Sequence, residues 1–158
     1  MRLCEVLNEG TILIGQSGLD KWQVIERLTD VMVECERGQG EWRDMILRGL
    51  VEREKQSSTG MQDGFAIPHC RLDDPIEHTL VSLATVPEGM DFEAIDRQPT
   101  VLVLGLVTPR KQKQEHLKIL ADIAKLFGDE RFRADLLKAA SPADALQVIR
   151  DGEARLGL

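Results

Sequence analysis

The sequence predicts an α/β fold: a single domain in which a small mixed β-sheet is flanked by helices. Three observations carry that expectation. Val101-Leu102-Val103-Leu104-Gly105-Leu106-Val107 is an unbroken apolar run of the length of a buried central strand. Segments with apolar residues at helical spacing lie before and after it, and no repeat, low-complexity tract or linker divides the chain. With 158 residues and 42% hydrophobic content the chain has enough material for one core and too little for two. The domain is therefore expected to span 1–158, with its core in about 10–150.

In chain order, Thr11-Ile12-Leu13-Ile14 reads as a first strand. Asp20 is placed to cap a helix whose apolar face is Val24, Ile25, Leu28, Val31 and Met32. The Gly38-Gln39-Gly40 turn ends that unit. A second helix from Glu41 turns Trp42, Met45, Ile46 and Leu50 inward and delivers Arg53 near its C-terminal end. Gly64-Phe65-Ala66-Ile67-Pro68-His69 reads as a short strand that stops at the imidazole, because Pro68 fixes its own φ and pushes Ile67 into an extended conformation. Leu80 to Val86 alternates as a strand, and Pro87-Glu88-Gly89 is read as a turn short enough for antiparallel neighbours. Pro109 ends the central strand. Leu117, Leu120, Ala124 and Phe127 recur at helical spacing until Gly128, and a short helix follows around Phe132 and Leu136. Ser141-Pro142-Ala143-Asp144 starts a last helix with a capping serine, a proline at the first helical position and an acid in the first turn. Its pattern runs to Ile149, and a frayed tail is expected beyond.

Composition excludes several function classes. Twenty basic against 27 acidic side chains give a formal net charge of −7, which disfavours attraction to a phosphate polymer, so no nucleic-acid partner is expected. Cys4, Cys35 and Cys70 are odd in number and lack CxxC spacing, which argues against a disulfide framework or a structural zinc site and suits a reducing cytoplasm. Met1-Arg2-Leu3-Cys4-Glu5 opens no leader sequence, and no segment has the apolar length of a membrane span, so no direct membrane insertion is expected.

The residues around His69 describe an anion pocket built on a nucleophile. Ser57-Ser58-Thr59-Gly60 supplies hydroxyls and a turn upstream, while Arg53 and Arg71 bracket the segment with permanent positive charge. Arg53-Glu54, then Ser58-Thr59-Gly60, then Gly64-Phe65-Ala66-Ile67-Pro68-His69 resembles the phosphohistidine signature of bacterial phosphotransferase-system enzyme IIA domains of the fructose, mannitol and nitrogen-regulatory branch. The similarity runs from about Gly10 to Ile149. Cys70 stands where alanine or glycine is usual, and Phe65 where a smaller aliphatic is common.

The resemblance implies that His69 accepts a phosphoryl group from a small histidine phosphocarrier protein, with His116 and Arg53 as its catalytic companions. The downstream partner it implies is a IIB-type acceptor or a regulated protein. The acceptor imidazole must be neutral, with one nitrogen free to attack and the other held, for which a backbone carbonyl would serve. Arg53 is the candidate electrostatic clamp on the equatorial oxygens, and Thr59 and Arg71 are candidate phosphoryl-binding residues. A helix dipole is expected to keep His116 neutral. No cofactor or metal is required, since the group passes between protein nitrogens and no GxxxxGK[ST] loop is present.

Three function classes compete. A phosphoryl carrier leads, and its occurrence without an attached transporter favours the nitrogen-regulatory type over a fructose or mannitol transport subunit. A regulatory binding module switched by phosphorylation is the second. A metal or thiol enzyme using His69, Cys70, His78 and His116 is the third, and lacks the usual ligand spacings. The plainer readings are Cys70 as a small buried filler, Arg53 paired with Glu52 or Glu54 on the surface, and Arg110-Lys111-Gln112-Lys113 as a solvated loop.

Overall fold

The computed structural model describes residues 1–36 and 40–158. In chain order the elements are α1 (Leu3–Val6), β1 (Ile12–Leu13), α2 (Lys21–Cys35), α3 (Gly40–Gln56), β2 (Phe65–Ala66), β3 (His69–Leu72), β4 (Leu80–Met90), β5 (Thr100–Pro109), α4 (Lys113–Gly128), α5 (Glu130–Leu137) and α6 (Pro142–Leu156). Of the turn expected at 38–40, residues 38 and 39 lie outside the described residues, and Gly40 is already helical.

The apolar run in β5 forms the middle of the sheet. Its neighbour on one side is β4, antiparallel, and β1 lies beyond that; on the other side β2 and then β3 pair with it in parallel. Mixed strand direction is thus realised. Side chains along a strand alternate between faces. Leu102, Leu104 and Leu106 therefore enter one core with α1, α4, α5 and α6, while Val103 and Val107 enter a second core with α2 and α3. Gly105 points toward α2, and a Cβ there would stand 2.8 Å from Met32 Cε and 3.5 Å from Leu28 Cβ, so a hydrogen at this position lets the helix close on the sheet.

The helix starts follow the expected chemistry. Asp20 accepts the Gln23 N–H at 2.9 Å and Gln23 accepts the Asp20 N–H at 2.9 Å, so two orphan donors of α2 are satisfied together. Ser141 accepts the Asp144 N–H at 3.1 Å, with Pro142 at the first helical position of α6.

Four expectations change. Pro87-Glu88-Gly89 is no turn: β4 continues to Met90 through a register irregularity after Thr85, as suits a residue without a ladder donor, and the chain reverses over 91–99 instead. The core stripe of α4 is His116, Ile119, Ile123, Leu126 and Phe127; of the series expected from Leu117, Phe127 is buried and Leu120 packs partly against the core, but Leu117 is 57% exposed, because the pattern counted no histidine as core. The tail of α6 is not frayed. Glu153, 2% exposed, accepts the Leu3 N–H at 2.5 Å and the Cys4 N–H at 3.4 Å, so the last helix caps the first. Finally, the strand leading to His69 does not end there: after a break at Ile67-Pro68 it resumes as β3, whose first residue is His69.

Candidate functional site

A cleft of about 550 Å³ opens between the end of α3, β3 and the start of α4. Sequence places a histidine on two of these elements. His69 begins β3 in register with Leu106, and the Pro68 carbonyl before it accepts the Leu106 N–H at 3.0 Å, which ties the segment to the central strand. His116 lies in the first turn of α4. The two rings are 5.5 Å apart between centroids, inclined at 47°.

The hydrogen bonds define the state of the first imidazole. His69 Nδ1 stands 2.7 Å from the Ile67 carbonyl. A carbonyl only accepts, so Nδ1 carries the proton and, in the neutral ring, Nε2 keeps its lone pair. His116 Nδ1 lies 2.7 Å from the buried Thr108 hydroxyl on β5. A hydroxyl that donates there leaves an N–H on His116 Nε2.

Both imidazoles are held neutral. Burial pushes the His69 pKa below its usual 6.5; the Ile67 hydrogen bond opposes this, and the Arg53 charge adds to it. His116 is lowered to about 4, first by burial, then by His69 once acid protonates that ring, and by the charge of Arg71. An imidazole with a depressed folded-state pKa disfavours acid: the unfolded chain takes its proton near 6.5, so the contribution to stability is complete above pH 6.5 and is lost as pH falls toward 4. An NMR titration is expected to give a His116 midpoint near 4 and a His69 midpoint below 6.5; normal midpoints for both would contradict the burial argument.

Of the other candidates, Arg53 and Arg71 line the same cleft, joined at its rim by Arg110 and Lys113. Arg53 pairs with neither Glu52 nor Glu54. Its Nη1 donates to the Ser57 carbonyl at 2.9 Å, which holds the guanidinium over the loop, and among the described residues no carboxylate pairs with it. Arg110, Lys111 and Lys113 are exposed, as expected of a solvated loop, and from there Arg110 and Lys113 border the cleft, Arg110 also meeting Asp73 at 3.1 Å.

Thr59 is not brought into the cleft. It is buried, and its hydroxyl donates to Glu54 at 2.5 Å, so it is not free to bind a phosphoryl oxygen. Glu54 faces inward from α3, away from Arg53, and meets Lys21 at 3.2 Å. Glu54 and Thr108 were not expected from sequence as functional residues; the one signal for Glu54 was its place beside Arg53 in the motif quoted above. Cys70 is buried, and burial raises its thiol to about 12, which suits a filler and not a nucleophile. His78 pairs with Glu36 at 3.1 Å outside the cleft. Among the described residues no group of three or more histidines, cysteines or carboxylates is disposed to hold a metal ion, and no helix is long and apolar enough to cross a membrane.

Residues 5–152 match the family model described as phosphoenolpyruvate-dependent sugar phosphotransferase system, EIIA 2. The chain is 33% identical over 153 residues to a nitrogen regulatory protein of Pseudomonas aeruginosa, covering 96% of each. Its fold is similar to the crystal structure of the nitrogen regulatory protein IIA-Ntr from Neisseria meningitidis, with a TM-score of 0.83 and 24% identity over 93% of this chain and 98% of that one. It is also similar to enzyme IIAMTL of Escherichia coli in its complex with phosphorylated enzyme IIBMTL, with a TM-score of 0.75 and 21% identity over 92% of this chain and 97% of that one.

Proposed function

We propose, since this chain belongs to the EIIA 2 family of the phosphoenolpyruvate-dependent sugar phosphotransferase system, that it carries a phosphoryl group on Nε2 of His69. The donor is a histidine phosphocarrier protein. The acceptor is a IIB-type protein, or else the charge itself switches a regulated partner. The observation that carries this reading is the Nδ1–H of His69 held on the Ile67 carbonyl, with the opposite ring nitrogen left as the nucleophile in a cationic cleft.

In the transfer step the Nε2 lone pair attacks phosphorus in line, the new P–N bond forms, and the donor's P–N bond breaks with its electron pair returning to the donor imidazole. No proton needs to leave His69, because its only ring N–H stays on the carbonyl. The equatorial oxygens gather negative charge, which Arg53 and Arg71 stabilise by prearranged N–H groups. His116, neutral and fixed by Thr108, donates from Nε2. No cofactor enters the step. Residues 1–158 act as one domain, working in a reducing cytoplasm.

The nitrogen-regulatory role is preferred over sugar transport because a relative of that name aligns over 96% of both chains. The family's description, which names a sugar phosphotransferase system, keeps a sugar-transport role as the second reading. Arg53→Ala and His116→Ala are each expected to slow single-turnover transfer about ten- to thousandfold, as losing a prearranged donor does. Unchanged rates in both would return these residues to structural roles. A wild-type protein that takes no phosphoryl group from a donor of proven activity would overturn the whole reading.

A further inference from the structure

We infer that Glu54 is a positioning residue for His69, acting through a buried Lys21–Glu54–Thr59 network that fixes the tautomer of the acceptor imidazole. This rests on the reading of His69 as phosphoryl acceptor. The Glu54 side chain is fully buried, a placement that is costly for a carboxylate unless every oxygen is satisfied. Here each is. Lys21 Nζ donates to it at 3.2 Å, the Thr59 N–H at 3.1 and 3.2 Å, and the Thr59 hydroxyl at 2.5 Å.

The network continues toward the reacting ring. The Thr59 carbonyl accepts the Ile67 N–H at 3.1 Å, and the Ile67 carbonyl accepts the His69 Nδ1–H at 2.7 Å. Ile67 is thus held at its N–H by the loop that Glu54 grips, and its carbonyl, on the following peptide, holds the imidazole. The loop is fastened on its far side as well: the Ser58 hydroxyl donates to the Phe92 carbonyl at 2.6 Å, and Lys21 also pairs with Glu93 of the same segment. Freed from Thr59, the Ile67 carbonyl would no longer be aimed at Nδ1. A proton on Nε2 would then block the attacking nitrogen. A buried ion pair adds little net stability over an apolar filling, and its use here is one fixed geometry for the loop.

The test compares Thr59→Val, which keeps the backbone bonds to Glu54 and removes only the hydroxyl, with Glu54→Gln and the conservative Thr59→Ser. In unphosphorylated protein at pH 7.5, ring nitrogen NMR shifts report the His69 tautomer and amide exchange reports the Ile67 N–H. Thr59→Val and Glu54→Gln are expected to give mixed tautomers, faster Ile67 exchange and transfer slowed about ten- to hundredfold at saturating phosphocarrier, with its KM unchanged. Thr59→Ser is expected to behave as wild type. A folded Thr59→Val or Glu54→Gln protein with the Nδ1–H tautomer and wild-type rate would overturn the inference, and should Glu54→Gln not fold, Thr59→Val decides alone. The tautomer measurement needs no donor. Altered tautomers with no wild-type uptake would therefore sink the functional reading alone, whereas uptake with unaltered tautomers would sink only this inference.

Discussion

His69→Ala is expected to take up no phosphoryl group under conditions in which the wild-type protein gains one. The expectation follows from chemistry and from placement. Alanine offers no nucleophile, and the other cleft histidine has its Nδ1 engaged by Thr108 at 2.7 Å. The substitution is also gentle on the fold. His69 is half-buried at the first position of β3, and the strand is held by backbone bonds through residues 69–72 that alanine retains. Intact mass after incubation with phosphoenolpyruvate, enzyme I and the phosphocarrier protein gives the answer, with unfolding midpoints checked alongside. His116→Ala under the same conditions is expected to be labelled slowly rather than not at all, which separates an acceptor from a donor of a hydrogen bond. Acid-labile labelling that persists in His69→Ala would place the acceptor elsewhere.

Phe127→Ala is expected to cost about 3–5 kcal/mol of stability and to lower Tm by roughly 10 °C. Phe127 is fully buried near the end of α4 and packs between two rings, 5.7 Å from Phe65 and 5.1 Å edge-on from Phe132. Removing it leaves a cavity that three elements would have to close together. Phe65 lies in β2, four residues before His69, so loss of this support also loosens the entry to the signature segment. Denaturant unfolding would measure the cost. A change under about 1 kcal/mol would mean that the core relaxes around the cavity far better than rigid packing allows.

Much of this architecture is legible in the residues. The apolar run of β5, the Asp20 and Ser141 caps and the spacing of α2 each state a local rule that the tertiary structure does not contradict. His69, His116, Arg53 and Arg71 were singled out by type and order, and the fold gathers them around one cleft. What escaped depends on contacts between distant segments. Glu153 is an exposed helical acid by pattern and becomes buried only because the N–H groups of Leu3 and Cys4 arrive from the other end of the chain. Thr59 has the right chemistry for a phosphoryl ligand, yet Glu54 turns inward and takes its hydroxyl. In α4 two apolar stripes are offset by one residue, and the one that includes His116 is the more buried, because Leu117 faces out at the cleft and Leu120 lies between cleft and core. Pro87 and Gly89 carry a turn signature that a long antiparallel strand absorbed as an irregularity.

The most direct test of the account is the long-range nitrogen NMR spectrum of the phosphorylated protein. It is expected to show phosphorus coupled to Nε2 of His69, with the proton still on Nδ1 against the Ile67 carbonyl. Phosphorus on Nδ1, or on any other side chain, would contradict it.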